Sequence, residues 1–179
     1  RCFRYEAAWT KPYKGNRKYT SKPIIFPAIK EYLRQRWNFI SVPELEADDL
    51  VSVYHDPLKT VICSPDKDVL YQNKGIHYNY GKAETILVDE NQSLTFLWKQ
   101  MLMGDSTDGI VGIPKVGEKT SEKWLEPFFG QAVGITKFAE TFKLVYMLKT
   151  DEDVLRETGL VLEPLKLYLV EPETDEEWV

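Results

Sequence analysis

Met103-Gly104-Asp105-Ser106-Thr107-Asp108-Gly109-Ile110-Val111-Gly112-Ile113-Pro114-Lys115-Val116-Gly117-Glu118-Lys119-Thr120 joins two chemistries in one stretch. Asp105 and Asp108 place two carboxylates near one point, just past an apolar helical run. Residues 112–119 read as a tight hairpin running into a helix N-terminus. Free backbone N–H groups and the helix dipole make such a place suited to phosphate.

Upstream lie two more acidic groups, Glu46-Ala47-Asp48-Asp49 and Asp66-Lys67-Asp68. Each alone has an ordinary reading. Acids at a helix start interact favourably with its dipole, and Asp in a polar turn caps the helix that follows. On a helix, Glu46 and Asp49 would share a face, with Asp48 to one side. Together the groups say more, because three acidic pairs that each follow an apolar element can converge. Mg²⁺ takes oxygen ligands and keeps several waters, so it needs few carboxylates. Two such ions about 4 Å apart can activate a water and stabilise a leaving oxygen. A hard-metal site beside a phosphate-holding loop points to phosphodiester chemistry.

The chain has 179 residues, 43% hydrophobic and 28% charged, which is the composition of a soluble globular domain. No apolar run approaches the roughly 18 residues of a membrane span, and no stretch of the sequence is expected to be a signal peptide. The net charge of −5 argues against nucleic acid until its distribution is read. Residues 1–36 carry ten Lys/Arg against two Glu, and residues 151–179 carry ten Asp/Glu against two Lys/Arg. The head attracts phosphate and the tail repels it. Cys2 and Cys63 form no disulfide framework. Cys63 ends the run Thr60-Val61-Ile62-Cys63 and is expected to be a buried, reduced thiol, as in a reducing compartment.

Periodicity predicts helices over 22–38, 44–54, 68–72, 91–103 and 118–128, with one or two more over 131–148. Strands are predicted over 39–42, 60–63, 75–80 and 85–88, the second of them buried on both faces. Strands alternate with helices to about residue 103 and only helices follow. That order predicts a parallel-type α/β domain and then a small helical domain. The leucines from Leu160 to Leu169 are expected to dock the acidic tail on the core. His55 and His77, distant in sequence, read as ordinary surface or turn residues.

Glu46-Ala-Asp-Asp, Ser64-Pro-Asp-Lys-Asp68 and Gly104-Asp-Ser-Thr-Asp-Gly-Ile-Val-Gly-Ile-Pro resemble, in order and spacing, the motifs of the flap endonuclease/5′–3′ exonuclease family. Tyr13-Lys14-Gly15-Asn16-Arg17 is similar to its Y-K-x-x-R signature, and Phe3-Arg4 to the element before it. The resemblance covers residues 3 to about 130 and is nearest to phage-encoded members. It implies a PIN-like 5′-nuclease fold with a mostly parallel central sheet, followed by a helical region carrying a helix-hairpin-helix motif. The implied division is a metal-dependent nuclease domain over 1–103, the DNA-binding region over 104–150, and the acidic tail over 151–179.

The resemblance also implies roles. Glu46 and Asp48 would hold a first Mg²⁺ or Mn²⁺ ion, with Asp49 close by. Asp66, Asp68 and Asp105 would hold a second, with Asp108 in its outer shell. Lys14 and Arg17 would act on the scissile phosphate. Tyr13 and Tyr19 would stack on bases. Arg4, Lys18, Gly112, Lys115, Gly117, Lys119 and Thr120 would complete the DNA contacts, and carbonyls of the hairpin would bind K⁺. The expected partner is DNA with a 5′ end or flap, met by a monomer in the cytoplasm of a bacterial or phage-infected cell, beside a replication polymerase.

Two departures stand out. Lys115 occupies a hairpin position where the family usually has Gly, and Gly109 one where it often has Asn. Two family aspartates and the first strand would lie before Arg1, so an upstream segment is expected. The rival readings are a non-catalytic duplex DNA-binding module and a ribonuclease of the same general fold.

Overall fold

Residues 144–148 run through the middle of the molecule and touch every part of its core. The computed structural model describes residues 2–17, 21–37, 39–124 and 135–159. Lys18, Tyr19 and the leucines from Leu160 onward lie outside the described residues. Leu144 and Val145 pack with Tyr13, Met101 and Ile110. Met147 packs with Ile62, Val69 and Leu70, and Leu148 with Phe3, Leu50 and Val154.

The elements, in chain order, begin with α1 (Arg4–Ala7), α2 (Phe26–Arg36) and α3 (Ala47–Tyr54). Next come β1 (Ile62–Cys63), α4 (Lys67–Tyr71), β2 (Gly75–Asn79), β3 (Glu84–Val88) and α5 (Glu90–Met103). The small strands β4 (Gly104–Asp105) and β5 (Ile110–Val111) precede α6 (Glu118–Trp124), α7 (Ile135–Val145) and α8 (Asp151–Thr158). The described sheet has the order β1-β2-β3 and is mixed rather than mostly parallel. β1 runs parallel to β2 because α4 carries the chain across between them. β2 and β3 are antiparallel, with Gly75 opposite Val88 and Asn79 opposite Glu84. The tight turn between them is tied by Asn79, whose Oδ1 accepts the N–H groups of Gly81 and Lys82 at 3.0 and 3.1 Å.

α5 is framed by a reciprocal cap, the Asp89 side chain accepting from Gln92 N–H at 2.8 Å and Gln92 Oε1 from Asp89 N–H at 2.9 Å. α2 starts with Pro27 in its first turn, where the missing N–H costs nothing. No residue of α2 is buried, and Ile25, Ile29, Tyr32 and the following Trp37 all face outward.

Several expected features differ. No strand forms over 39–42 among the described residues. Ile40 and Val42 instead place their side chains against the Phe3–Leu50 cluster. β-branched sequence makes a strand only when a partner edge is present. In the 60–63 run Ile62 is buried but Val61 and Cys63 are exposed, so Cys63 is not the expected buried thiol. Successive strand residues point to opposite faces, and only one face of β1 meets the core. His77 is fully buried, with Nε2 2.7 Å from the Asn73 carbonyl oxygen and its ring 5.4 Å from that of His55. α7 stops at Val145, and residues 146–149 run without regular structure before α8.

That irregular buried segment needs hydrogen-bond partners, and side chains supply them. Gln72 Nε2 donates to the Val145 carbonyl at 2.8 Å, and Gln72 Oε1 accepts from Met147 N–H at 3.2 Å. Arg4 Nη2 donates to the Tyr146 carbonyl at 2.7 Å, and Asp49 Oδ1 accepts from Leu148 N–H at 3.1 Å. Arg4 and Asp49 are themselves a buried two-pronged ion pair, with contacts of 2.6 and 2.7 Å. Lys149 follows, donating to the Gln72 carbonyl and to Asn73 Oδ1. Burial pulls its ammonium down to about 8, against the attraction of Asp49 and Asp153.

Removing one member of such a buried pair strands the other charge. Arg4→Met is therefore expected to lower the unfolding free energy by about 3–5 kcal/mol, measured by urea denaturation. The double variant Arg4→Met/Asp49→Leu should cost less than the sum of the two single changes. Strict additivity would show that the pair is not a unit.

Candidate functional site

The acidic groups converge where α3, α4 and the β4–β5 hairpin meet. Glu46 stands at the N-terminal boundary of α3 in extended conformation, outside the helix, so the shared-face expectation with Asp49 does not apply. Instead Asp49 turns inward, accepts the Glu46 backbone N–H at 3.2 Å and pairs with Arg4, while Glu46 and Asp48 face a pocket of about 210 Å³. Asp66 caps α4, its Oδ1 accepting from Asp68 N–H at 2.9 Å, and Ser64 Oγ accepts from Asp66 N–H at 3.0 Å. These bonds turn Asp66 and Asp68 toward the same pocket. Asp105 ends β4, where its Oδ1 accepts from Thr107 N–H at 2.7 Å, and Asp108 sits in the turn before β5.

The approach of β4 to β5 requires glycine. Gly104 has φ +70, and a Cβ there would stand 2.3 Å from Gly112 N. A Cβ on Gly112 would stand 2.1 Å from the Met103 carbonyl carbon. Gly112, expected among the DNA contacts, thus packs backbone against backbone. The hairpin beyond it is open, since nothing lies within 4 Å of a Cβ built on Gly117. Lys115 and Lys119 are exposed and Thr120 is half-buried at the start of α6.

Two cations close one side of the pocket. Lys14 Nζ lies 2.6 Å from Glu46 Oε1 and 3.6 Å from Asp108 Oδ2, and Arg17 Nη2 lies 2.5 Å from Asp108 Oδ1. Burial alone would lower the Lys14 ammonium. The hydrogen bond and charge of Glu46, with Asp108, outweigh it and hold the group above its usual range. Tyr13 is buried, its hydroxyl 2.9 Å from Glu46 Oε2 and 3.2 Å from Asp108 Oδ2. Burial, then the negative charge of Glu46, pushes that hydroxyl far above its ordinary range, so it stays a donor. Its ring meets Tyr5 edge-on at 5.4 Å. Tyr13 is thus a spacer between two carboxylates rather than a platform for bases. Arg4, expected to touch DNA, is 3% exposed and fully engaged by Asp49 and Tyr146.

On the other side of the pocket the carboxylates outnumber the cations, with Lys67 standing beside Asp66 and Asp68. Burial, followed by the charges of Asp66 and Glu46, raises the Asp48 carboxyl to about 6. Burial also raises Asp68 to about 6, with Asp66, Asp105 and Asp108 adding to it and Lys67 opposing. Asp68 Oδ1 is buried and has no hydrogen-bond partner among the described residues. Among those residues no three Asp, Glu, His or Cys side chains are already gathered around a common point at ion-binding distance. The donor set is all-oxygen, crowded and under-neutralised, which fits a hard divalent cation drawn between the carboxylates.

Gln72 and Gln100 also line the pocket, joined at 2.6 Å from Nε2 to Oε1. Sequence reading did not single them out. The one available signal was Gln72 and Gln100 as polar residues beside otherwise apolar helix positions.

The sequence is 33% identical over 132 residues to an exodeoxyribonuclease of Enterobacteria phage T3, covering 68% of this chain and 43% of the relative. It is 27% identical over 155 residues to DNA polymerase I of Bacillus caldotenax, covering 70% of this chain and 16% of that one. A 5′-3′ exonuclease of Buchnera aphidicola is 33% identical over 98 residues, covering 46% of this chain and 33% of the relative. The chain thus spans less than half the length of these relatives. No family model matches the sequence. The fold is that of the flap endonuclease of bacteriophage T5, whose structure was solved with DNA and metal ions. The match has a TM-score of 0.56 at 15% identity and covers 87% of this chain and 69% of that one.

The raised carboxyls make stability depend on pH. Below the ordinary Asp pKa of about 3.9 their contribution is fully present. It is lost as pH rises through about 6, because the unfolded chain gives up its protons first. Thermal melts with chelator should therefore show Asp68→Asn more stable than the unaltered protein at pH 7, with the difference shrinking toward pH 4. Mg²⁺ should stabilise the unaltered protein more at pH 7.5 than at pH 5. A difference of opposite sign would contradict this charge balance.

Proposed function

We propose that this chain, a relative of phage and bacterial 5′–3′ exonucleases with the fold of a flap endonuclease, is a divalent-metal-dependent nuclease that hydrolyses DNA near a 5′ end or 5′ flap. The observation that carries the reading is the divided pocket, with Asp48 and Asp68 under-neutralised on one side and Lys14 and Arg17 poised on the other. Glu46 and Asp48 would hold one Mg²⁺ or Mn²⁺ ion, and Asp66, Asp68, Asp105 and Asp108 a second. Bound there, the ions would supply the charge that activates a water and stabilises a leaving oxygen.

The residues of the chain do the rest. Lys14 and Arg17 are held as cations at the pocket edge by Glu46 and Asp108. As a scissile phosphate arrives they exchange those partners for its oxygens and offset the charge that builds in the transition state. Tyr13 keeps Glu46 and Asp108 at fixed separation by donating between them. Asp49 and Arg4 hold the backbone at Glu46 in place and touch no substrate. Lys115, Lys119 and the open turn at Gly117 grip duplex phosphates without reading sequence, with K⁺ as the proposed monovalent ion of that turn. The exposed residues Tyr32 and Arg34 of α2, with Trp37 just beyond it, suit the strand that leaves the pocket.

No helix among the described residues is long and apolar enough to cross a membrane. The phage and bacterial relatives support work in the cytoplasm of a bacterial or phage-infected cell. The polymerase I relatives support a place beside a replication polymerase.

A 5′-labelled flap duplex with Mg²⁺ tests the reading, using this chain and a form carrying any residues that precede Arg1. Cleavage near the branch is expected, with a loss of about 10²–10³-fold in Lys14→Ala and no detectable cutting in Asp105→Ala. Salt-sensitive DNA binding with no cleavage in any form would favour the binding-module reading.

Lys115 offers a separate test. Its φ of 66 lies in the left-handed region that a residue with a Cβ occupies at a cost. Lys115→Gly should leave thermal stability equal or higher. It should reduce the slope of log affinity against log salt by about one. An unchanged slope would remove Lys115 from the DNA-binding surface.

A further inference from the structure

Glu140 lies on α7, far in sequence from every acidic motif, and is 3% exposed. One oxygen of its carboxylate accepts Trp9 N–H at 2.8 Å and Thr10 N–H at 2.7 Å. The other accepts the Thr10 hydroxyl. A buried carboxylate is costly unless donors surround it, and here all three donors belong to one short piece of loop. Trp9, Thr10, Lys11 and Pro12 are exposed, and Ala7 and Ala8 just before them pack on the Tyr13–Met101 cluster, so Glu140 holds the stretch where the chain leaves that packing.

The same loop then enters the pocket. Tyr13 is buried against Met101, Ile110 and Leu144, and Lys14 N–H donates to the Asp108 carbonyl at 2.8 Å. Asn16 Nδ2 donates to the Thr107 carbonyl at 2.9 Å. Lys14 has φ +51, an unfavourable backbone for a residue with a side chain, which persists only where the surroundings over-determine it. The far end of the loop is thus fastened to the β4–β5 turn and the near end to Glu140.

The geometry points to Glu140 as a positioning residue for the proposed cleavage: it anchors residues 9–10 so that the strained turn presents Lys14 and Arg17 at the pocket edge. This rests on the nuclease reading above. Glu140 touches no reacting atom. Its effect passes through the loop backbone, so its loss should appear in the chemical step rather than in duplex binding by the distant hairpin. A misplacement of about 1 Å at a reacting centre costs on the order of 10²-fold in rate.

The test compares the full chain with Glu140→Ala, Glu140→Gln and Thr10→Val in single-turnover cleavage of the flap duplex. DNA affinity without Mg²⁺, thermal melting and amide hydrogen exchange are measured alongside. Glu140→Ala is expected to lose about 10²-fold in cleavage rate with DNA affinity unchanged. Glu140→Gln, whose amide oxygen still accepts both backbone N–H groups, should recover most of the rate, and Thr10→Val should fall between. The Lys14 amide should exchange faster in Glu140→Ala while β2 and β3 amides do not. Cleavage at the unaltered rate in Glu140→Ala overturns the proposal, as does a loss that follows melting temperature alone and is not recovered by Gln. If the unaltered chain does not cut, the nuclease reading is what fails. Amide exchange then decides the clamp, with unchanged protection at Lys14 overturning it.

Discussion

The buried pair of Arg4 and Asp49 is the contact on which the rest of the molecule depends. It joins α1, α3 and the irregular segment after α7, three pieces that share no sheet or helix ladder. Residues 145–148 pass through the core with backbone groups that no strand partner satisfies, and Arg4, Asp49 and Gln72 take the place of that partner. The desolvation of both charges is offset because nearly every donor and acceptor they carry is used. The pair also fixes the backbone at Glu46, so one interaction serves the core and sets an edge of the pocket.

Charge in the pocket follows a related logic with the opposite outcome. Around Arg4 and Asp49 opposite charges are matched and buried. Around Asp48 and Asp68 like charges are gathered and left unmatched, and burial then shifts both carboxyls upward. A carboxyl such as Asp68, whose buried Oδ1 has no hydrogen-bond partner among the described residues, is an unfavourable part of a folded chain unless more positive charge comes to it. Lys14 and Arg17 already neutralise Glu46 and Asp108, so the unmet demand is confined to one side. On the proposed reading, that division would leave Asp48 and Asp68 for metal and would offer Lys14 and Arg17 to an arriving phosphate.

Much of the site was legible because its parts are local. Asp66 and Asp68 follow a strand, Asp66 capping the helix whose first turn holds Asp68. The tight hairpin expected over 112–119 is found one step earlier, as β4 and β5, where Gly104 and Gly112 let the two backbones approach. α5 and the β2–β3 hairpin were equally plain, since caps, turns and periodicity act within a few residues. Legibility failed where a residue's role depends on a distant partner. Tyr13 reads as a stacking aromatic beside Lys14, and only the arrival of Asp108 and Leu144 makes it a buried spacer. Arg4 reads as a phosphate contact in a basic head until Tyr146 and Asp49 close over it. His55 and His77 look unrelated and stand ring to ring.

The sequence by itself determined most of the α/β order and the three acidic groups, because spacing along a chain constrains turns, caps and periodicity directly. Tertiary structure alone decided which charges are buried, which are paired and which are left wanting. Asp48 and Asp49 are adjacent and chemically identical, yet one faces the pocket and the other is sealed against Arg4 and Leu148. The difference is set by one helical step of about 100° per residue and by what the chain returns to place on each side.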